Sequence, residues 1–401
     1  MKDVASALPR IAFDHRRIGW SQGTGVHRFR DGLHTAIAEL AVAKVALTDS
    51  VVLTGAARTG LPAAPLFGSV RLRPDDDDQI EQWLFPDLFR RAQSRFTLTG
   101  RMTGLHLPCP PDIVHWSHPL PMFVNGAANI YTVHDLIPLE HADLTGISGA
   151  RLARLLRQIV PHAHVMTVSE TVRHALSERV GLGLDRIACC YQPVAAPEPG
   201  GALPEPLSSG AYLLCLGRFE PRKNVARLIE AHRRTPAGMP LVFVGPDGHW
   251  SSRRERRRVM AMIDGRRVIR LGWQSPAVIA ALVTQCHALL MPSLAEGFGL
   301  PVVEAMRAGV PTMASCRGAG AEIAGDAALL VDPESVTEIA MGITSIVHDV
   351  RLRAELRRKG IERAAHFSAK VFGDRLASLY EKISGRAIRM RADDERGRGC
   401  A

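Results

Sequence analysis

Short apolar runs take turns with amphipathic stretches along most of the chain, and that alternation predicts strands followed by helices. Ile11-Ala-Phe-Asp14 reads as a strand, a loop with Gly19, Gly23 and Gly25 follows, and Val26, Phe29, Leu33, Ile37 and Leu40 then recur at helical spacing. Pro111 to Trp116, Ala128 to Asp135 and Val165 to Glu170 read as further strands, the last leading into a helix that starts after Ser169. The segment from Pro193 to Pro206 is too rich in proline and glycine for an element interior and reads as a hinge. Beyond it the pattern restarts. Tyr212–Leu216, Leu241–Val244, Val268–Leu271, Ala288–Met291, Thr312–Ala314 and Ala328–Val331 read as strands separated by helical patterns, and helices close the chain around 339–347, 351–365 and 369–383. Strands alternating with helices predict two doubly wound, Rossmann-like α/β domains. The expected division is 1–195 for the first domain, 196–208 for a linker and 209–368 for the second domain, then a helix over 369–384. Residues 385–401 are charged and expected to form a disordered tail.

Composition fits this division. A chain of 401 residues is too long for one core, and 46% hydrophobic residues can fill two. Met1 to Arg10 has no apolar centre, and no run of about eighteen apolar residues occurs, so the expected location is cytoplasmic. Seven scattered cysteines form no CxxC pair and read as reduced. The net charge of +10 raises the question of nucleic acid, and Arg253-Arg-Glu-Arg-Arg-Arg258 is the densest basic run. Only 5% of the residues are aromatic, which argues against single-strand recognition. Anionic lipid is the better match, at about 1 kcal/mol per suitably placed cation. Trp83–Phe96, with Arg90, Arg91 and Arg95, and Arg151–Val160, with Arg154 and Arg157, read as amphipathic helices that either dock on a membrane or pack on their own domain.

Two segments carry the chemistry. Glu296-Gly-Phe-Gly-Leu-Pro-Val-Val-Glu304 places two carboxylates eight positions apart around a turn that opens a helix. Pro301 suits the first helical turn, and the amides of Phe298, Gly299 and Leu300 are expected to point outward toward an electron-rich oxygen group. Glu304 can accept from a pair of ligand hydroxyls, Glu296 from another part of the same ligand. Upstream, Gly217-Arg-Phe-Glu-Pro-Arg-Lys-Asn224 leaves a buried strand and enters a helix, with Asn224 as the expected N-cap. Arg218 and Lys223 then lie at the carboxyl end of a strand, where open α/β sheets bind ligands, and two cations there suit a diphosphate.

Together these segments closely resemble the family 4 retaining glycosyltransferases of the GT-B fold, on Gly217-Arg218 with Lys223-Asn224 and on Glu296-Gly-Phe-Gly-Leu-Pro with Glu304. The resemblance implies that the helix over 369–384 crosses back to the first domain. It also implies that Arg218 and Lys223 bind the donor diphosphate, that Glu296 contacts the donor sugar, that Glu304 contacts the ribose, and that the amides of Phe298, Gly299 and Leu300 hold sugar hydroxyls. Gly23 and Gly25 would approach the phosphates, His134 would act in the cleft, Asp135 would face the acceptor and Trp273 the base. His134-Asp-Leu-Ile-Pro138 is similar to the mannosyltransferase branch, which favours GDP-mannose and a glycan or lipid-linked acceptor of surface polysaccharide or lipopolysaccharide synthesis. UDP- or ADP-sugars with a small soluble acceptor, and a noncatalytic nucleotide-sugar or nucleic-acid binding protein, remain the alternatives. Many members carry Pro-Asn-Gly where this chain has Tyr191-Gln-Pro-Val194, so the resemblance implies no nucleotide contact there. No cofactor or essential metal is expected, and Asp75 to Asp78 reads as the acidic start of a helix, not as a metal site.

Overall fold

The structure is a computed structural model that describes residues 8–15, 25–49, 70–72, 81–85, 87–198, 200–236 and 238–390. Among the described residues, ten strands belong to the first half: β1 (Arg10–His15), β2 (Ala43–Asp49), β3 (Val70–Leu72), β4 (Glu81–Phe85), β5 (Thr103–Leu105), β6 (Ile113–Trp116), β7 (Met122–Val124), β8 (Ala128–Val133), β9 (His164–Thr167) and β10 (Ile187–Cys189). Eight of them form one sheet in the order β10-β9-β8-β6-β1-β2-β4-β3, parallel except for the β3–β4 pair. Its helices are α1 (Gly25–Ala38), α2 (Leu88–Thr99), α3 (Ile137–Glu140), α4 (Gly149–Ile159) and α5 (Glu170–Val180).

The second sheet is parallel throughout, from β11 (Leu213–Leu216), β12 (Leu241–Val244), β13 (Val268–Leu271), β14 (Ala288–Met291), β15 (Thr312–Ser315) and β16 (Leu329–Val331), in the order β13-β12-β11-β14-β15-β16. Around it lie α6 (Val225–Arg233), α7 (Arg253–Met260), α8 (Pro276–Gln285), α9 (Leu300–Arg307), α10 (Gly318–Ala324), α11 (Val336–His348) and α12 (Val350–Ala364). Strands β11, β12, β14 and β15 are buried at every position, as expected of parallel strands covered by helices on both faces. The chain runs outward from β11 to β13 and returns to β14 beside β11, so the connections after β11 and β14 diverge there. Such a reversal opens a crevice at the carboxyl ends of the strands.

The last helix, α13 (Ala369–Ser384), returns to the first domain and packs against α1. Phe372 meets Phe29 edge to face, and the Tyr380 hydroxyl lies 2.7 Å from Nδ1 of buried His115, whose Nε2 is 2.8 Å from the Thr132 hydroxyl. One apolar core runs from Ile11, Phe13 and Leu33 through α13 into the second domain, while the opposite face of the first sheet has its own, with Trp116, Tyr131 and Phe96.

Three expectations change. Trp83–Phe96 is a strand end followed by a helix, not one amphipathic helix, in keeping with the extended bias of a residue that precedes proline at Pro86. The apolar side chains of a docking face are also committed elsewhere: Phe89, Phe96, Leu155, Leu156 and Ile159 are buried, and the guanidinium groups of Arg151 and Arg154 lie over the Phe96 ring. Residues 385–390 do not form a loose tail, because Ile388 is buried and the Arg389 carbonyl accepts from the Ala41 amide at 2.9 Å. Residues 391–401 lie outside the described residues. No helix among the described residues is long and apolar enough to cross a membrane.

Candidate active site

The crevice between β11 and β14 collects the two motif loops. Lys223 is buried, and its ammonium meets Glu296 Oε1 at 2.5 Å, while Arg222 donates to Glu296 Oε2 at 2.9 Å and to Glu220. Burial by itself would raise the Glu296 pKa, but Lys223 and Arg222 outweigh it and hold the carboxyl at about 2. Burial likewise disfavours the charged form of Arg222, and Glu296 and Glu220 reverse the sign so that its pKa is raised. Glu296 is therefore a fixed anion at neutral pH. Arg222, between Arg218 and Lys223 in the sequence, is a site residue that the motif alone does not mark. Arg218 itself is exposed and has no ion-pair or hydrogen-bond partner among the described residues. Asn224 occupies the N-cap position of α6 in a left-handed conformation, φ 59°, but makes no side-chain cap bond. Its amide nitrogen donates to the Pro292 carbonyl at 2.9 Å and to that of Pro333, tying the loop after β11 to the loop after β14.

The turn into α9 is tight. A Cβ on Gly297 would lie 2.0 Å from the His134 carbonyl, so only glycine lets the second domain press this closely on the first. Gly299 has φ 102°, which a side chain would strain. The Phe298 ring packs in the core against Phe367, leaving its main chain as the part that can meet a ligand. The amides of Phe298 and Gly299 donate to no acceptor among the described residues, and the Leu300 amide stands at the open start of the helix. Glu304 follows one turn later. Burial raises its pKa against the opposing pull of Arg28 and Lys223, and its Oε2 is buried without a partner.

From the first domain, His134 follows β8 and packs edge to face on Phe29. Its Nε2 donates to the Ser117 carbonyl at 2.7 Å, and burial lowers its pKa to about 4, so Nδ1 carries a lone pair at neutral pH. Ser117 is fixed in turn by buried Asp14, which accepts from its amide at 2.6 Å and its hydroxyl at 2.8 Å. No local spacing marks this Asp14–Ser117–His134 chain, whose members come from three separate strand ends. Asp135 accepts from the Ile137 amide at 3.1 Å, and burial raises its pKa. Asp135 and Glu296 both line a cavity of about 550 Å³ between the domains, with Trp250, Arg227 and Glu255.

Ser169 joins the domains from the start of α5 by donating to the Gly297 carbonyl at 2.8 Å. Glu322, on α10, accepts from the amides of Glu170 and Thr171 at 2.7 Å each, so a carboxylate of the second domain caps a helix of the first. Gly25 starts α1 beside Leu300. Trp273 follows β13, the edge strand, and is 44% exposed. Gly23 and Asp75 to Asp78 lie outside the described residues. No cluster of three or more metal-ligating side chains occurs among the described residues.

Both motif loops lie in a segment that is similar to known proteins. Residues 206–363 match the family described as Glycosyl transferases group 1. O-antigen chain mannosyltransferase B of Escherichia coli is 29% identical over 216 residues, 51% of this chain and 56% of that protein. O-antigen chain mannosyltransferase RfbU of Salmonella typhimurium is 26% identical over 219 residues, 54% of this chain and 59% of that protein. Phosphatidyl-myo-inositol mannosyltransferase of Mycolicibacterium smegmatis is 30% identical over 185 residues, 45% of this chain and 47% of that protein. The chain thus spans about half the length of these curated relatives. Among solved structures, HepE of Anabaena in complex with UDP and glucose superposes with a TM-score of 0.65 at 17% identity, covering 93% of this chain and 100% of that one. WaaG, a glycosyltransferase involved in lipopolysaccharide biosynthesis, gives 0.61 at 16% identity, covering 94% and 100%. The chain has the GT-B fold, and residues 206–363, within its second half, are similar to the glycosyl transferases group 1 family.

Proposed function

We propose that this protein is a retaining glycosyltransferase that moves mannose from GDP-mannose to a glycan or lipid-linked acceptor during synthesis of a surface polysaccharide or lipopolysaccharide. The observation that carries the reading is the pair of carboxylates in one crevice: Glu296, held ionised between two cations, and Glu304, with a buried oxygen free to accept. The names of the matched relatives favour mannose and an O-antigen or glycolipid acceptor.

The reaction must stabilise a departing diphosphate and an electron-poor sugar carbon. The bond from C1 to the diphosphate oxygen breaks with its electron pair going to the diphosphate. Arg218 and Lys223 offset the growing charge, a preorganised electrostatic contribution of the kind that commonly dominates catalysis. The acceptor hydroxyl attacks C1 from the same face and passes its proton to a departing phosphate oxygen. His134 Nδ1 accepts from a hydroxyl of the donor sugar, and Asp135 accepts from the acceptor in the adjoining cavity. Neither Glu296 nor Glu304 becomes a covalent nucleophile.

The cations already perform the charge-neutralising task of a divalent metal. Transfer should therefore persist in excess EDTA and in a variant with asparagine at Asp75 to Asp78, and loss in both would place a metal site there. Peripheral contact with anionic membrane rests on exposed Arg95 and Arg157, and sedimentation with phosphatidylglycerol vesicles checks it. Thermal shifts with GDP, UDP and ADP and their sugars test the donor. A response to GDP-mannose above the others is expected, and a preference for UDP- or ADP-sugars would replace the donor.

A further inference from the structure

Glu304 meets an unforeseen partner. Arg28, on the first turn of α1, donates through Nη1 to Glu304 Oε1 across the boundary between the domains. The starts of the two helices adjoin, since a Cβ on Gly25 would lie 3.5 Å from Leu300 Cδ1. The pair is lopsided. Glu304 is 13% exposed and its second oxygen is buried with no partner, whereas Arg28 is 43% exposed and the remaining donors of its guanidinium fork are unused among the described residues.

An ion pair with so exposed a guanidinium contributes little to stability. A buried carboxylate oxygen with no partner beside it costs more than the pair returns. The two facts together describe an incomplete binding site, not a strut between domains. Carboxylate and guanidinium are complementary to the two ends of a nucleotide sugar ring: vicinal hydroxyls need an acceptor, and the phosphate on the ring's other side needs a planar, bidentate donor.

Resting on the glycosyltransferase reading of the crevice, we propose that Arg28 is a further nucleotide-binding residue, supplied by the first domain, that recognises the phosphate attached to the ribose held by Glu304. Its exposure leaves the guanidinium free to swing from Glu304 Oε1 toward that phosphate. Because Arg28 and Glu304 sit on different domains, phosphate recognition would occur only when the domains are closed, and a nucleoside alone would not secure it.

The test compares guanosine, GMP and GDP, with the uridine and adenosine series in parallel, by calorimetry on the full chain and on Arg28→Ala and Arg28→Lys. Arg28→Ala should weaken GMP and GDP about tenfold or more while guanosine binds as before or tighter, since the competitor for Glu304 Oε1 is gone. Arg28→Lys should recover part of the loss. An equal loss for guanosine and GDP would make Arg28 a support for Glu304 alone, and undiminished GDP affinity would remove it from the site; either overturns the proposal. If the unaltered protein bound no nucleotide of any base, the functional reading would fail with it, an outcome separable from failure at Arg28. Matching melting temperatures for the variants exclude unfolding as the cause.

Discussion

Exchanging Glu296 for glutamine keeps the side chain's shape and removes the charge at the centre of a buried cluster. Lys223 and Arg222 reach the carboxylate at 2.5 and 2.9 Å, with side chains 7% and 18% exposed. The cluster lowers the carboxyl pKa from 4.5 to about 2. That corresponds to roughly 3 kcal/mol in favour of the anion, within reach of the roughly 3–5 kcal/mol measured when one member of a buried pair is deleted. Glu296→Gln should therefore lower the unfolding free energy at pH 7 by about 3 kcal/mol in urea titrations. The sign with pH follows from the depressed pKa: the contribution is complete above about 4.5 and lost as pH falls toward 2, so the gap between variant and parent should narrow over that window. The two cations left without a carboxylate should then welcome phosphate, so GDP should raise the variant's melting temperature by more than the parent's even as sugar transfer falls. Parent-like stability within about 0.5 kcal/mol, the scatter of neutral surface changes, would refute the buried cluster as described.

The remaining predictions concern other parts of the site and the core. Arg218→Ala removes an exposed side chain, so stability should hold while GDP affinity measured by calorimetry falls by about 1.5–3 kcal/mol, the usual contribution of a hydrogen bond to a charged group; unchanged affinity would take Arg218 out of the diphosphate site. Glu304→Ala should weaken guanosine as well as GDP, whereas Glu296→Ala, which frees the same two cations as the glutamine variant, should bind GDP at least as tightly as the parent and depress turnover; indistinguishable binding and rate profiles would break the division between ribose and sugar. Burial lowers the pKa of His115 from 6.5 to about 3. A lowered histidine pKa gives stability that is complete above about 6.5 and lost on acidification, so each pH unit below it should remove up to about 1.4 kcal/mol; His115→Gln should flatten that slope, and an unchanged slope would assign the acid sensitivity to other groups.

Much of the second domain was legible because its strands are continuous aliphatic runs buried on both faces, such as Leu213–Leu216 and Ala288–Met291. Trp83–Phe96 misled because mixed apolar and basic residues satisfy helical spacing while the chain changes element near Pro86. Asn224 shows a similar limit: its type suits a cap, but the Pro292 and Pro333 carbonyls compete for its side chain. The motif residues could be found because glycine, proline and charge must stand in a fixed local order there. Arg28 meets Glu304 across 276 positions, and Asp14 meets Ser117 across 103, contacts that exist only once the domains and strands are assembled. Arg222 stands in the same motif, but only the folded loop brings it, and not Arg218, to Glu296.

The central claim is transfer from a sugar nucleotide with retention at the cleft between the domains. Its most direct measurement is nuclear magnetic resonance of the product formed by purified protein from GDP-mannose and a mannosylated acceptor. The account predicts a new glycosidic bond whose C1 configuration matches the donor's, formed by the unaltered protein and lost in Lys223→Ala. A product of opposite configuration, or transfer undiminished in Lys223→Ala, would contradict it.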